Sequence, residues 1–224
     1  MKVNTLKIGR RSFYIYTVGG YLITKNFESL AIATPDKNTS RNYKILKEDF
    51  EINQLLINPP PIDNKTEAKL VLELKKLRTT QTLKKIFQQD QNFLKIFLKI
   101  ARKNGCILRS DVEIKLMQAI ADVTDVVLYF KNLFGRPRPN EVIPAINPVL
   151  PVPIFSAYPG GHATQAKVAA DLLVGWGARA NAVYLYQYAK EVARNREIAG
   201  LHYPSDSFAG NDLGSQLSKI ILKG

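Results

Sequence analysis

The 224-residue chain has only two histidines, and each sits in a phrase whose neighbours could take part in acid–base or nucleophilic chemistry. His162 lies in Tyr158-Pro159-Gly160-Gly161-His162-Ala163. His202 lies in Arg196-Glu197-Ile198-Ala199-Gly200-Leu201-His202-Tyr203-Pro204-Ser205-Asp206. A third phrase, Lys131-Asn132-Leu133-Phe134-Gly135-Arg136-Pro137-Arg138-Pro139, gathers cations upstream. Two imidazoles, the cations Lys131, Arg138 and Arg196, and a Gly-Gly turn are the parts needed to hold and cleave a phosphate ester. Cations and backbone amides neutralise the oxygens, and imidazoles attack or move protons.

The spacing says how these groups are to be presented. Lys131 and Arg138 are seven residues apart, about two helical turns. That puts Lys131 in the last turn of a helix predicted over 111–134 and Arg138 just beyond it. Pro137 and Pro139 stiffen the backbone around Arg138, whose planar fork can hold two oxygens at once. The same residues also suit a solvated basic helix end. Pro159-Gly160-Gly161 reads as a turn into a helix starting near His162, where first-turn amides face an anion. A plain capped loop is the alternative. Asp206 follows His202 by four, and Pro204 fits the first turn of a new helix. The carboxylate is then within reach of the imidazole, fixing its tautomer and leaving the other nitrogen free to attack. A capped helix carrying a surface histidine fits the same letters.

The surrounding chain must position these phrases. Residues 1–35 are β-like: Ser12–Val18 and Tyr21–Thr24 are rich in β-branched and aromatic residues, with Gly19-Gly20 as a hairpin turn between them. Residues 36–64 are polar, contain Pro59-Pro60-Pro61 and read as a connection. From Lys65 the period turns helical: Ala68, Leu70, Val71, Leu74 and Leu77, then Phe93, Leu94, Ile96, Phe97 and Ile100. Asn104-Gly105 ends that stretch. Ser110 with Glu113 reads as a capping box opening the 111–134 helix, which Gly135 and Pro137 stop. Further helices are predicted at 162–176, 180–199 and 205–222. The expected division is an N-terminal extension, 1–64, and a helical catalytic domain, 65–224.

Composition narrows the partners. Net charge is +13, so an anionic partner or substrate is expected. The basic residues are dispersed and form no nucleic-acid motif, which argues against nucleic acid. The one cysteine, Cys106, allows no disulfide within the chain and is expected to be a small buried residue. No apolar h-region opens the chain. The longest run free of Lys, Arg, Asp and Glu, 142–166, carries five prolines and cannot be a spanning helix. A soluble, cytoplasmic protein without a transmembrane segment is the expectation.

Taken together and in this order, the three phrases resemble the type 2 phosphatidic acid phosphatase and vanadium haloperoxidase superfamily. Its motifs are a lysine, six residues, then Arg-Pro; a Pro-Ser-Gly-His turn; and Ser-Arg, five residues, His, three residues, Asp. Lys131 and Arg138-Pro139 match the first, Gly161 and His162 the second, and Arg196, His202 and Asp206 the third. The match runs over about 111–215. Gly160 stands where the family has serine, and Asn195 where it has serine before the arginine.

The resemblance implies a mainly α, helical bundle of the acid phosphatase/haloperoxidase type with a small N-terminal β element. It implies His202 as nucleophile, His162 as acid and base, and Asp206 as the partner of His202. Lys131, Arg138, Arg196, Gly160 and Gly161 would bind phosphate or vanadate. The implied activity is metal-independent phosphomonoester hydrolysis through a phosphohistidine, on a phosphorylated small molecule or lipid head group, with no cofactor. The alternative is a haloperoxidase with vanadate as cofactor and His202 as its ligand. The 158–163 and 199–206 phrases look closer to that branch, and the 134–139 phrase closer to the phosphatases. A phosphate-ligand binding module with little or no activity is the third reading. By the same resemblance, Gly160→Ser is expected to strengthen anion binding.

Overall fold

The computed structural model describes residues 4–8, 11–18, 21–27, 43–46, 50–103 and 106–224. At the N-terminal end are three strands, β1 (Asn4–Ile8), β2 (Arg11–Val18) and β3 (Tyr21–Phe27), paired antiparallel in the order β1-β2-β3. Val18 pairs with Tyr21, so β2 and β3 form the expected hairpin. The Gly19-Gly20 turn itself lies outside the described residues, as does the Asn104-Gly105 stop. Seven α-helices follow among the described residues: α1 (Asn64–Glu73), α2 (Thr80–Ala101), α3 (Val112–Phe134), α4 (Pro139–Val142), α5 (Gly161–Gly175), α6 (Ala182–Ile198) and α7 (Pro204–Lys223). The chain is mainly α.

Local chemistry sets the helix ends. Asp63 and Thr79 cap α1 and α2 by accepting from the amides of Thr66 and Thr82. The capping box expected at Ser110 does not form. Asp111 is the N-cap of α3, and its side chain makes no capping bond; it faces Arg109 and Lys115 instead. Gly135 ends α3 at φ 58°, a left-handed conformation that glycine adopts without a Cβ penalty. The α2 backbone breaks at Asn92 (φ −140°, ψ 21°), between the half carrying Asp90 and the half carrying Phe93.

The core forms around α5. Its Ala163, Ala166, Val168, Ala169, Ala170, Leu172 and Leu173 are buried on nearly every side, among residues of α2, α3, α6 and α7. The α5–α7 crossing is the tightest. A Cβ built on Gly214 would come within 2.8 Å of the Thr164 carbonyl oxygen, and one on Gly210 would run into the carbonyl of Gly160. Only glycine lets the backbones approach this closely, and the crossing lays the start of α7 against the start of α5. α1 is a marginal helix that buries Ala68 and Val71, while Leu70 stays exposed. Cys106, expected to be buried, is half-buried with Sγ 3.5 Å from the Gly177 carbonyl oxygen. The 142–160 segment runs irregularly with one short 3-10 turn at Pro144–Ile146, as its prolines demand.

Candidate active site

His202 lies in the turn between α6 and α7 and is buried. Its Nδ1 is 3.2 Å from Asp206 Oδ2, and its Nε2 is 3.2 Å from Arg138 Nη1. A guanidinium can only donate, so Nε2 accepts and Nδ1 carries the proton toward Asp206. The tautomer is therefore set by its two neighbours. Burial pushes the imidazole down to about 3, with the Arg138 and Lys131 charges adding to this and Asp206 opposing. At neutral pH His202 is an uncharged ring whose lone pair is on Nε2.

Asp206 is the third residue of α7, the placement Pro204 predicted. Its Oδ2 also accepts the Tyr203 amide at 2.9 Å. Burial opposes its charge, but bonds and charges from His202, Arg136 and the Tyr203 amide outweigh it and hold the carboxyl below its ordinary range.

The three candidate cations are all buried. Lys131 Nζ donates to the Ser156 and Ala157 carbonyls at 2.8 and 2.9 Å. Arg138 donates from Nε to Phe155 O at 2.9 Å and from Nη1 to Leu201 O at 2.8 Å. Burial lowers Arg138 to about 10 and drops Lys131 well below an ordinary lysine, with Arg138 adding to the effect on Lys131. Arg196 Nη1 donates to Asp90 Oδ1 at 2.8 Å, while its Nε and Nη2 are buried with no hydrogen-bond partner among the described residues. A buried unmatched donor costs roughly 1–3 kcal/mol, and more when it is charged. These two nitrogens fit an oxyanion.

His162 opens α5, and its ring tilts 52° against Phe93 with centroids 5.7 Å apart. Burial lowers it well below an ordinary histidine, and the charges of Arg196, His202, Lys131 and Arg138 push the same way. The predicted cations and both imidazoles therefore act on one another. Gly161 also sits beside Lys131: a Cβ there would lie 3.8 Å from Lys131 Cε. The first amides of α5 have no partner within the helix ladder and can face an anion.

Gly160 requires a correction. Its amide donates to the Asp206 carbonyl at 2.8 Å, so that amide is already engaged. A Cβ at Gly160 would sit 2.8 Å from the same oxygen and 3.1 Å from its carbon, which are backbone atoms that cannot swing away. Gly160→Ser is therefore expected to lower stability by about 1–3 kcal/mol through overpacking and to weaken anion binding, not strengthen it. Denaturant melts and calorimetry with vanadate check both signs.

Several supporting residues carried no motif. Asp90 on α2 orients Arg196. Asn195, in the serine position, donates to Gln89 Oε1 at 2.7 Å, and Gln89 Nε2 donates to Glu191 Oε1 at 2.9 Å. Arg136, quoted in its phrase without a role, pairs with Glu67 and Asp206. The sequence signal for Glu67 was a carboxylate on the Asn64/Ala68/Val71 face of α1, where apolar residues belong. Among the described residues, no group of three or more His, Cys, Asp or Glu side chains could hold a metal ion, and no helix is long and apolar enough to cross a membrane.

The profile of the PAP2 superfamily matches residues 113–223. No curated protein matches the chain. Among solved structures, a bacterial vanadium-dependent iodoperoxidase superposes with a TM-score of 0.62 at 20% identity, over 77% of this chain and 53% of that one. The chain thus spans about half the length of the iodoperoxidase, and the two share a fold. A transmembrane PAP2-type phosphatidylglycerolphosphate phosphatase from Bacillus subtilis aligns at 17% identity and TM-score 0.43, over 71% and 77% of the two chains. LpxE from Aquifex aeolicus aligns at 26% identity and TM-score 0.47, over 71% and 87%.

Proposed function

The chain belongs to the PAP2 superfamily, and from that premise we propose that it is a metal-independent phosphomonoester hydrolase working through a phosphohistidine on His202. The observation that carries this reading is the pairing of a neutral, tautomer-fixed His202 with buried Arg196 nitrogens that have no partner among the described residues. One group can attack phosphorus while the other holds its oxygens.

The proposed reaction starts with the phosphoryl oxygens taken up by Arg196 Nε and Nη2, Arg138, Lys131 and the Gly161 amide. Positioning and charge neutralisation then supply most of the acceleration. His202 Nε2 attacks phosphorus, and the bond to the leaving oxygen breaks. His162 gives that oxygen a proton. The positive charge that builds on His202 is stabilised by Asp206 through Nδ1–H. In the second half, His162 takes a proton from water, the water oxygen attacks phosphorus, and the N–P bond breaks to release phosphate. His162 must be protonated to act first as an acid, whereas burial and four neighbours lower its pKa. A bound phosphate dianion places negative charge among those cations and raises it again. The substrate class is a phosphorylated small molecule or lipid head group.

The fold shared with the iodoperoxidase supports a second reading. The unmatched Arg196 nitrogens and the α5 amides fit vanadate as well as phosphate, with His202 Nε2 as its ligand. Bound vanadate would supply activation of peroxide for halide oxidation.

One experiment separates the readings: the full chain, treated with chelator, is given an aryl phosphate with and without vanadate. Turnover that survives chelation and is inhibited by vanadate is expected. No turnover, but halide oxidation by peroxide once vanadate is added, would select the second reading. Vanadate binding with neither activity would leave an anion-binding module.

A further inference from the structure

We infer that Glu67, on α1, is a positioning residue: acting through Arg136 and Asp206, it sets the charge and orientation of His202. α1 lies outside the 113–223 family match and carries none of the three motifs. Nevertheless, both oxygens of Glu67 reach the start of α7. Oε1 accepts the Ser205 amide at 3.0 Å, and Oε2 accepts Ser205 Oγ and Arg136 Nη2, each at 2.5 Å.

Arg136 links Glu67 to the site. Its side chain is 1% exposed, and each of its nitrogens is matched. Nε donates to Asn64 Oδ1 at 2.8 Å, and Nη1 donates to Ser205 Oγ at 2.7 Å and Asp206 Oδ1 at 2.6 Å. The Tyr203 ring covers the guanidinium at 3.9 Å. One carboxylate would neutralise Arg136, but this cluster has two. Glu67, Arg136 and Asp206 together carry one net negative charge, and Asp206 presents it to His202 Nδ1 through Oδ2. Removing the Glu67 charge leaves Arg136 drawing on Asp206 alone. The support for positive charge on His202 then weakens, while the groups that hold the anion keep their partners.

Glu67→Gln keeps the shape and removes the charge, and Glu67→Asp keeps the charge but shortens the reach. With only two histidines in the chain, the imidazole 15N resonances are assigned from a His162→Ala spectrum. The expected result for Glu67→Gln is a displaced His202 Nδ1–H resonance, a kcat lower by about tenfold, and affinity for inorganic phosphate within about twofold of the parent. The kcat arm rests on the phosphatase reading; the resonance and phosphate arms do not. A parent chain without turnover would therefore sink that reading and still leave this one decided by the spectrum. An unchanged His202 resonance in folded Glu67→Gln would overturn the inference, as would equal losses of kcat and phosphate affinity. If Glu67→Gln fails to fold, Glu67→Asp decides: a displaced resonance supports the role, and an unmoved one overturns it.

Discussion

His202→Ala is expected to lower turnover of an aryl phosphate by at least about 10³-fold while leaving the chain folded. The basis is the hydrogen-bond pattern around the ring. Asp206 takes the Nδ1 proton, Arg138 points a donor at Nε2, and burial keeps the ring neutral. Among the phrases that meet at this site, no other side chain offers a nucleophile so prepared. His162→Ala should cost less with a good leaving group, because an aryl oxide leaves with little need of a proton. Asp206→Asn should fall between the two, since the ring stays but loses the charge that supports it. Steady-state kinetics rank the three variants. Rapid alkaline quench of His162→Ala, in which an N–P bond survives, should retain the phosphoryl group on His202, because its removal slows without the base. Near-parental activity in His202→Ala would remove the phosphohistidine from the mechanism.

Arg196→Ala is expected to cost about 10²–10³-fold in kcat and a comparable factor in vanadate affinity. Arg138 and Lys131 already donate to carbonyls from at least some of their nitrogens. Arg196 differs in having two buried nitrogens with no partner among the described residues, and Asp90 fixes the third. It is thus the cation with the most unmatched capacity to give an anion. Asp90→Asn should reproduce a smaller share of the loss by loosening the guanidinium without removing it. Calorimetry with vanadate measures the binding, and affinity within twofold of the parent in Arg196→Ala would place the anion elsewhere.

The placement of the candidate site residues was more legible in the sequence than that of the residues that hold them. Lys131, Arg138, His162, Arg196, His202 and Asp206 were legible because short-range spacing ties each to a helix end. Gly135 ends α3, Pro204 opens α7, and the Gly160-Gly161 turn opens α5. Helix ends obey local rules of capping and backbone freedom, so they can be read one phrase at a time. Asp90 and Glu67 were not legible in that way. Their partners lie 106 and 69 residues along the chain, and no local rule pairs them. The Ser110 capping box failed because α3 starts one residue later, with Asp111 as N-cap, so Glu113 is its second residue and not its third. Gly160 was misjudged for a related reason: a letter shows which donor is missing but not which backbone occupies its place.

The contact between Gly160 and α7 constrains how this chain could change. Gly160 and Gly210 lie against each other, so an added carbon at either position drives toward backbone belonging to the other's helix. The two positions are therefore coupled, and neither can take a side chain unless α7 moves away. A lineage with serine at 160 needs a different spacing between these helices, and the two residues should change together across relatives. Retreat would also carry Asp206, and with it His202, away from His162, because the start of α7 carries one half of the site and the start of α5 the other. A chain with serine at 160 would therefore have to reset the distance between its two histidines as well.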